Sequence, residues 1–467
     1  MPFPIRLLAA ALASLLLALT SSAAHAMFII VNDIGDAGDA NPGDGICATA
    51  ANICTLRAAV EEANALPGSD GIQFNVGTAT IELSSPLVLT ESTNINGGEK
   101  ITLDGQHATR HFTLSGANYG LFGLALANGS ASDGGSIHVT SSTLTINHVD
   151  FTNNRATGVG AGFGGAVYAT HTTVSAQRVR ASGNQASHGG VFYMGGADKL
   201  ALEEFVAEGN SAVFSGGAVS YTGTNLLIGH SLFHNNITTD PAGQGGGIDV
   251  VPLTTSALTI ESTTFESNAS AIGGALAVRS VAGGVITHAT FANNNGGANG
   301  AIVVWGAGTQ VTLKNTLVGA SFGGPNCRAQ APAALADGGH NLQFGSGSAD
   351  SCGASIPQAN PLLAGLADNG GFSRTMALQP GSPAIDAIDA ASGCIGGQWD
   401  QRGVSRPVGT GCDIGAFEAD APVGPGSGGA QGVAAIPRLD AQALVLLSGA
   451  LAAGAGAALR RRKRRAA

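Results

Sequence analysis

Charge is scarce in this 467-residue chain: Asp, Glu, Lys and Arg together make up 11% of it. So few charges leave amphipathic helices little to present to water, and favour closely stacked β-turns rich in Thr, Val, Asn and Gly. Disorder is excluded by 44% hydrophobic residues with regular apolar patterning. The 71 glycines follow no three-residue period, which excludes collagen. No Cys-x-x-Cys spacing occurs, which disfavours zinc. Ser-His-Asp, Walker and HExxH signals are missing as well.

Basic residues are rarer still between the two ends. Arg6 and the six residues Arg460–Arg465 account for seven of the 21 Lys and Arg. The remaining 14 face all 31 Asp and Glu, so residues 27–459 carry a net charge of −17. Such a surface repels nucleic acid, which is therefore not an expected partner. It is able to attract divalent cations.

The two ends carry the long apolar runs. Residues 1–26 read as a secretory signal, with Arg6, an apolar run from Leu7 to Leu19, and Ala24-His25-Ala26 before the cleavage point. The other reading of this run, an uncleaved anchor, is disfavoured by its shortness. At the far end a flexible linker over 421–435 precedes Ile436-Pro437-Arg438-Leu439, an apolar stretch from Ala441 to Leu459, and the basic cluster. Nineteen residues just suffice to cross a bilayer, with the basic cluster cytoplasmic.

Six cysteines form three close pairs, Cys47/Cys54, Cys327/Cys352 and Cys394/Cys412. An even number in an exported chain favours disulfides between these neighbours, although fifteen connectivities are formally possible.

The centre repeats itself. Asn154, Asn184, Asn210, Asn236, Asn268 and Asn294 recur at intervals of 26 to 32 residues, and each precedes a Gly-Gly pair or, in the sixth unit, Asn299-Gly300. A period in this range with several short strands predicts a solenoid: an all-β, right-handed parallel β-helix of the pectin lyase type over residues 70–355. Asn stacked on Asn forms amide ladders at the turns. In the strand after Gly-Gly, two rows are apolar throughout and point inward: Val167, Phe192, Val219, Ile248, Leu276, Ile302, and Ala169, Met194, Tyr221, Val250, Val278, Val304. Alternation then turns outward the row Tyr168, Tyr193, Ser220, Asp249, Ala277, Val303 and the row Thr170, Gly195, Thr222, Val251, Arg279, Trp305. Insertions at 155–163 and 237–244 occupy one turn, and insertions confined to one face mark a binding face.

These repeats resemble a known family. Phe151-x-x-Asn154, Phe233-x-x-Asn236, Phe265-x-x-Asn268 and Phe291-x-x-Asn294 match the FxxN element of polymorphic outer-membrane proteins. Gly164-Gly165-Ala166-Val167, Gly216-Gly217-Ala218-Val219 and Gly273-Gly274-Ala275-Leu276 match their GGA(I/L/V) element. The resemblance implies an adhesin-like β-helix; their C-terminal autotransporter barrel has no counterpart here.

Further resemblances flank the repeat. Helical spacing of Leu56, Ala59, Val60 and Ala63 within Thr55–Asn64 predicts a capping helix in a cap over residues 27–69. Cys54-Thr55-Leu56-Arg57-Ala58-Ala59 resembles the CSLREA motif of bacterial surface β-helix proteins, with Ala58 in place of Glu. Asn360-Pro361-Leu362-Leu363, Pro380–Asp386, Asp400-Gln401-Arg402-Gly403 and Cys412–Glu418 resemble a choice-of-anchor Q domain over 356–420, which implies a segment that closes the β-helix. The tail over 436–467 resembles the IPTL-CTERM sorting signal, with Ile436, Pro437 and Leu439 retained and Arg438 in place of Thr. It implies membrane anchoring through a C-terminal helix and a sorting or processing protease as partner, at the cell envelope or surface. A permanent tail anchor is the alternative.

Chemistry is thinly represented. Asp33, Asp36, Asp39, Asn41 and Asp44 crowd one loop, where calcium takes such oxygen ligands, although the spacing is not that of an EF-hand and Asx-turns explain it equally. No other cofactor is expected. A polysaccharide lyase needs a base beside a uronate, and a hydrolase needs converging carboxylates. Glu203, Glu204 and Glu208 share one coil, while His148, His171, His188, His230, His234 and His288 read as scattered over differing repeat positions. The expectation is therefore non-catalytic recognition of a glycan or cell-surface partner by the face bearing Tyr168, Tyr193, Asp249, Arg279 and Trp305. A polysaccharide-cleaving enzyme and a passive spacer remain the alternatives.

Removal of residues 436–467 is expected to release the ectodomain into the periplasm or medium. Cell fractionation checks this, and unchanged fractionation of the truncated protein rejects the tail as anchor.

Overall fold

The computed structural model describes residues 26–420 apart from 159, 197–198, 252–256, 346–350, 390–391 and 395–396. The signal-like segment, the linker and the tail with Ile436, Pro437 and Leu439 lie outside the described residues, essentially entirely. Among the described residues no helix is long and apolar enough to cross a membrane.

The chain winds into a right-handed parallel β-helix of about ten turns, with faces of eighteen, ten and five strands, designated A, B and C. One turn shows why. Thr143–Thr152 lies on face A in two halves, bent at His148, whose φ is +53°. Asn153 (φ +55°) and the buried Asn154 turn the corner into Arg155–Ala156 on face C. Gly164 and Gly165 then redirect the chain into Val167–Thr170 on face B. A Cβ on Gly165 would come within 2.1 Å of the Gly190 carbonyl oxygen of the next turn, so the coils stack only if this position has no side chain.

Every neighbouring pair on faces A, B and C is parallel, and in register apart from shifts between Asn96 and Ile101 on face A and between Ala186 and His188 on face C. Both rows expected to point inward are fully buried. Phe205, Phe233, Phe265 and Phe291 stack along the core with ring centroids 5.7, 4.9 and 4.6 Å apart. At the corner each Asn side chain donates Nδ2–H to the Oδ1 of the next, from Asn154 through Asn184, Asn210, Asn236 and Asn268 to Asn294, at 2.9–3.0 Å. Each Oδ1 also accepts a backbone N–H from the neighbouring turn, as Asn210 does from Asn184. The ladder therefore satisfies buried amides that no strand can pair.

The N-terminal helix runs over Leu56–Ala65, with Thr55 accepting the Ala58 N–H at 3.1 Å. Leu56, Ala59, Val60 and Ala63 are buried against the solenoid end, as the spacing predicts. One difference concerns the preceding strand. Phe28–Val31 already pairs with Ser69–Phe74 on face A, so the cap interrupts the first coil.

Residues 356–420 also differ from expectation. They lie along the outside of face A instead of only closing its end. Arg180 donates to the Phe372 carbonyl (2.7 Å), Arg374 pairs with Glu208 (2.8 Å), Thr264 donates to Gln401 (2.6 Å), and Gly415 N–H reaches the Asn315 carbonyl (2.9 Å). Two of its ion pairs are buried: Arg406–Glu418 and Arg402–Asp400 lie at 2.6 and 2.7 Å, with all four side chains at most 7% exposed. Truncating one partner of such a pair strands a buried charge, which is how they hold the segment's shape.

Three disulfides are present, Cys47–Cys54, Cys327–Cys352 and Cys394–Cys412, with Cα separations of 5.2, 4.8 and 5.4 Å. They are the close pairs of the sequence.

Replacing Asn210, in the middle of the ladder, by alanine is expected to cost roughly 2–4 kcal/mol, because it takes the acceptor from the Asn184 N–H and Nδ2–H donors on one side and the donor from the Asn236 Oδ1 and Ala181 carbonyl acceptors on the other. Urea denaturation against an exposed control, Gln185→Ala, with an expected change within about 0.5 kcal/mol, checks it.

Candidate functional site

The outer side of face B begins at the Gly-Gly elbow, which is concave. The residue before Gly-Gly therefore leans over the outward residue three positions after the pair ends. Phe163 lies 6.0 Å from Tyr168 and 4.4 Å from Tyr193, ring to ring. His188 lies 6.4 Å from Tyr193, and Ser215 Oγ is 3.0 Å from Ser220 Oγ.

Along the solenoid axis this elbow changes character. It starts aromatic. Tyr168 and Tyr193 stack at 5.7 Å as register partners, with His138 edge-on to Tyr168 at 4.9 Å. Phe163 stacks on His188 at 5.2 Å, and Phe214 follows at 5.3 Å from His188. Phe214 is 39% exposed and follows the exposed Val213, and Ile237 on the next coil is exposed as well. A one-residue register shift between Ala186 and His188 pushes this strand outward.

The next step is polar. His188 Nδ1 pairs with Ser215 Oγ at 2.8 Å, and Ser215 with Ser220. Asp249 is the register partner of Ser220. Its outward orientation was expected to expose it, yet it is only 4% exposed, like Ser220, while Ala277 and Val303 of the same row are fully buried. Gln244, the register partner of Ser215, precedes the glycine pair of the Asp249 coil as Ser215 precedes that of the Ser220 coil. Asp249 Oδ1 has no hydrogen-bond partner. Burial, only partly offset by nearby Arg279, pushes its carboxyl up to about 7. Burial likewise holds His138 and His188 below the ordinary imidazole range.

Beyond the polar step, Arg279 and Trp305 are half-buried register partners, with the guanidinium 5.7 Å from the ring centroid. The five residues expected to form one face thus divide into an aromatic platform, a buried carboxyl and a separate cation–π pair. Sequence reasoning missed Phe163, His188 and Phe214. Their common position before or within the turn was available as a signal, but the fold-back at the elbow was not.

The Ser215–His188 pair invites a nucleophilic reading. The amides that follow it, Gly216 and Gly217, already donate to the Gln244 and Gly245 carbonyls at 2.9 and 3.0 Å, so they offer no oxyanion site. The group is suited to hydrogen bonding.

The hydrogen bonds of the acidic loop are those of the Asx-turn alternative. Asp36 clasps Arg57 at 3.0 and 2.9 Å and accepts from Ser84; Asp33, Asp39 and Asp44 close local turns onto Gly35, Asn41 and Ile46; Asn41 stands with Asp39 in such a turn. The loop is held by Glu61 on the Asp39 N–H and Glu62 on the Gly43 and Gly45 N–H groups. Among the described residues no group of three or more His, Cys, Asp or Glu is placed to hold a metal. Carboxylates spent on backbone donors and an arginine point apart.

The histidine reading is corrected. His148, His230 and His288 share one position, six residues before the ladder Asn, together with Arg178, Glu204 and Ser262. All six have positive φ, at the bend of face A. They do not converge on one site: Arg178 pairs with Glu204 (2.7 Å) and His230 with Glu203 (2.6 Å).

With this geometry in view, residues 130–318 match the family model for the right-handed beta helix region. None of the curated proteins matches the chain. Fold and match together define a right-handed parallel β-helix protein.

Asp249 takes up its proton more readily folded than unfolded, since its value moves from 3.8 to about 7. Stability therefore falls as pH rises between about 4 and 7. Asp249→Asn is expected to remove that slope and add roughly 1–4 kcal/mol at pH 8. Urea unfolding at pH 4.5 and 8, chosen to lie at about the two ends of this window, checks it.

Proposed function

We propose that this chain is an exported, envelope-anchored surface protein that recognises a glycan without cleaving it, through the elbow of face B. The observation that carries the reading is the aromatic platform of Tyr168, Tyr193, Phe163, His188 and Phe214 running directly into a polar step. Sugars present apolar ring faces and polar hydroxyls, and a site for them combines aromatic surface with a few placed polar groups. Ser215 and Ser220, joined to His188 by hydrogen bonds, form that polar step one coil beyond Tyr193, and the buried Asp249 follows on the next coil. The carboxyl of Asp249 and the net charge of −17 disfavour acidic glycans, so the expected ligand is neutral. Export and anchoring rest on the sequence signals of the two ends, and multivalent display at a surface strengthens weak single sites.

Each stacked ring contributes on the order of 1 kcal/mol. Replacing Tyr168, Tyr193 and Phe214 together by alanine is expected to weaken retention on immobilised neutral glycans by tenfold or more, with folding preserved. Equal retention by the folded triple variant would leave the passive-spacer reading ahead. New unsaturated or reducing ends released from a polysaccharide would instead establish an enzyme.

A further inference from the structure

Asp70 stands in an inward row of face A. Its register partners in successive coils are Thr93, Tyr119, Leu144, Val174 and Leu200, all buried. A carboxylate at the head of a row that turns apolar is costly unless it is paired, because burial strips water from its charge. Asp70 is 1% exposed and belongs to none of the ion pairs among the described residues. Burial raises its carboxyl above the ordinary value; the Met27 N–H draws it back, and the like charge of Glu91 adds to the rise. The neighbouring hydroxyls are turned elsewhere, Thr93 to the Glu91 carbonyl (3.0 Å) and Tyr119 to the Leu89 and Ser115 carbonyls (2.9 and 2.7 Å).

The donor that reaches this carboxyl is the start of the first strand. Met27 N–H donates to Asp70 Oδ1 at 2.8 Å, while Oδ2, equally buried, has no hydrogen-bond partner. Phe28 is the register partner of Gly71, so Met27 falls opposite Asp70, and the Gly71 N–H holds the Met27 carbonyl at 2.9 Å. An amide nitrogen carries one N–H, here already given to Oδ1. It has none for Oδ2 and no charge to set against the carboxylate.

On the export reading above, the chain is cut at this nitrogen. Hydrolysis of the Ala26–Met27 bond by a signal peptidase puts the oxygen of water on the Ala26 carboxyl and leaves an amine on Met27. An α-amino group titrates at about 8, so at neutral pH it takes up a proton. The same nitrogen then carries three N–H donors and a positive charge. The geometry points to Asp70 as a built-in receptor for the α-ammonium of Met27, so that removal of the signal completes the first coil with a buried ion pair. Ala26 is exposed, so a residue ahead of Met27 meets no steric barrier there. What the cut changes is charge and donor number. It couples release of the signal to the locking of the terminal coil, whose outer edge no further coil covers.

The test compares the exported full-length protein with a variant carrying one glycine inserted between Ala26 and Met27, each also with Asp70→Asn. Intact mass fixes the first residue of every chain. Hydrogen exchange read by mass spectrometry follows the pairing of Phe28–Val31 with Ser69–Phe74. Expected are a parent that starts at Met27, and exchange across these strands faster by roughly tenfold or more in the glycine variant. With Asp70→Asn the two chains are expected to exchange alike, since no charge is left to pair. A second readout does not depend on how well Asp70→Asn folds: the parent α-amine is expected to acetylate at neutral pH roughly tenfold more slowly than that of the glycine variant. Equal exchange in the two Asp70 chains, or equal amine reactivity, would overturn the inference and leave export standing. A parent whose first residue is not Met27 would overturn the cleavage point of the export reading and the inference with it.

Discussion

Everything in this molecule depends on coils stacking in register at the spacing of a parallel sheet, about 4.8 Å. A single coil cannot bury its own apolar face, so each is stable only through the next. Register makes every chemical choice repeat: an inward valine meets an inward phenylalanine above it, and a corner asparagine meets another asparagine. The ladder from Asn154 to Asn294 follows from this constraint, as does the intolerance of Gly165 for a side chain.

The same constraint governs what happens outside. A stack of identical elbows produces a continuous furrow, and outward substitutions then write its character coil by coil. Here the furrow runs from aromatic to polar to aliphatic between Tyr168 and Val303. Asp249 illustrates the consequence. It is outward in the sense of alternation and buried in the sense of solvent, and the difference shifts its proton affinity. Face A is treated differently, since the segment 356–420 covers part of it with a preassembled network around Arg406 and Glu418.

Acidic loop residues show how little a cluster in sequence says about convergence in space. Asp33, Asp36, Asp39 and Asp44 are close along the chain, yet each turns toward a different donor. The carboxylates of Glu61 and Glu62 on the capping helix, outside that cluster, carry the loop's anchoring hydrogen bonds.

The sequence by itself determined the solenoid, its inward rows, its asparagine ladder, its capping helix and its disulfide pairs. These depend on periodicity, residue size and backbone freedom, which are local properties repeated many times. The shared position of His148, His230 and His288 was equally legible, since it needs only counting back from the ladder. Only the tertiary structure decided that the Gly-Gly elbow is concave, so that Phe163 and His188 join Tyr168 and Tyr193 while Asp249 disappears from solvent. It alone also laid residues 356–420 along face A and brought Gln398 and Arg406 to His288 and Asn315. Those outcomes depend on the sign of a turn's curvature and on contacts between residues about a hundred positions apart, and neither leaves a period in the chain.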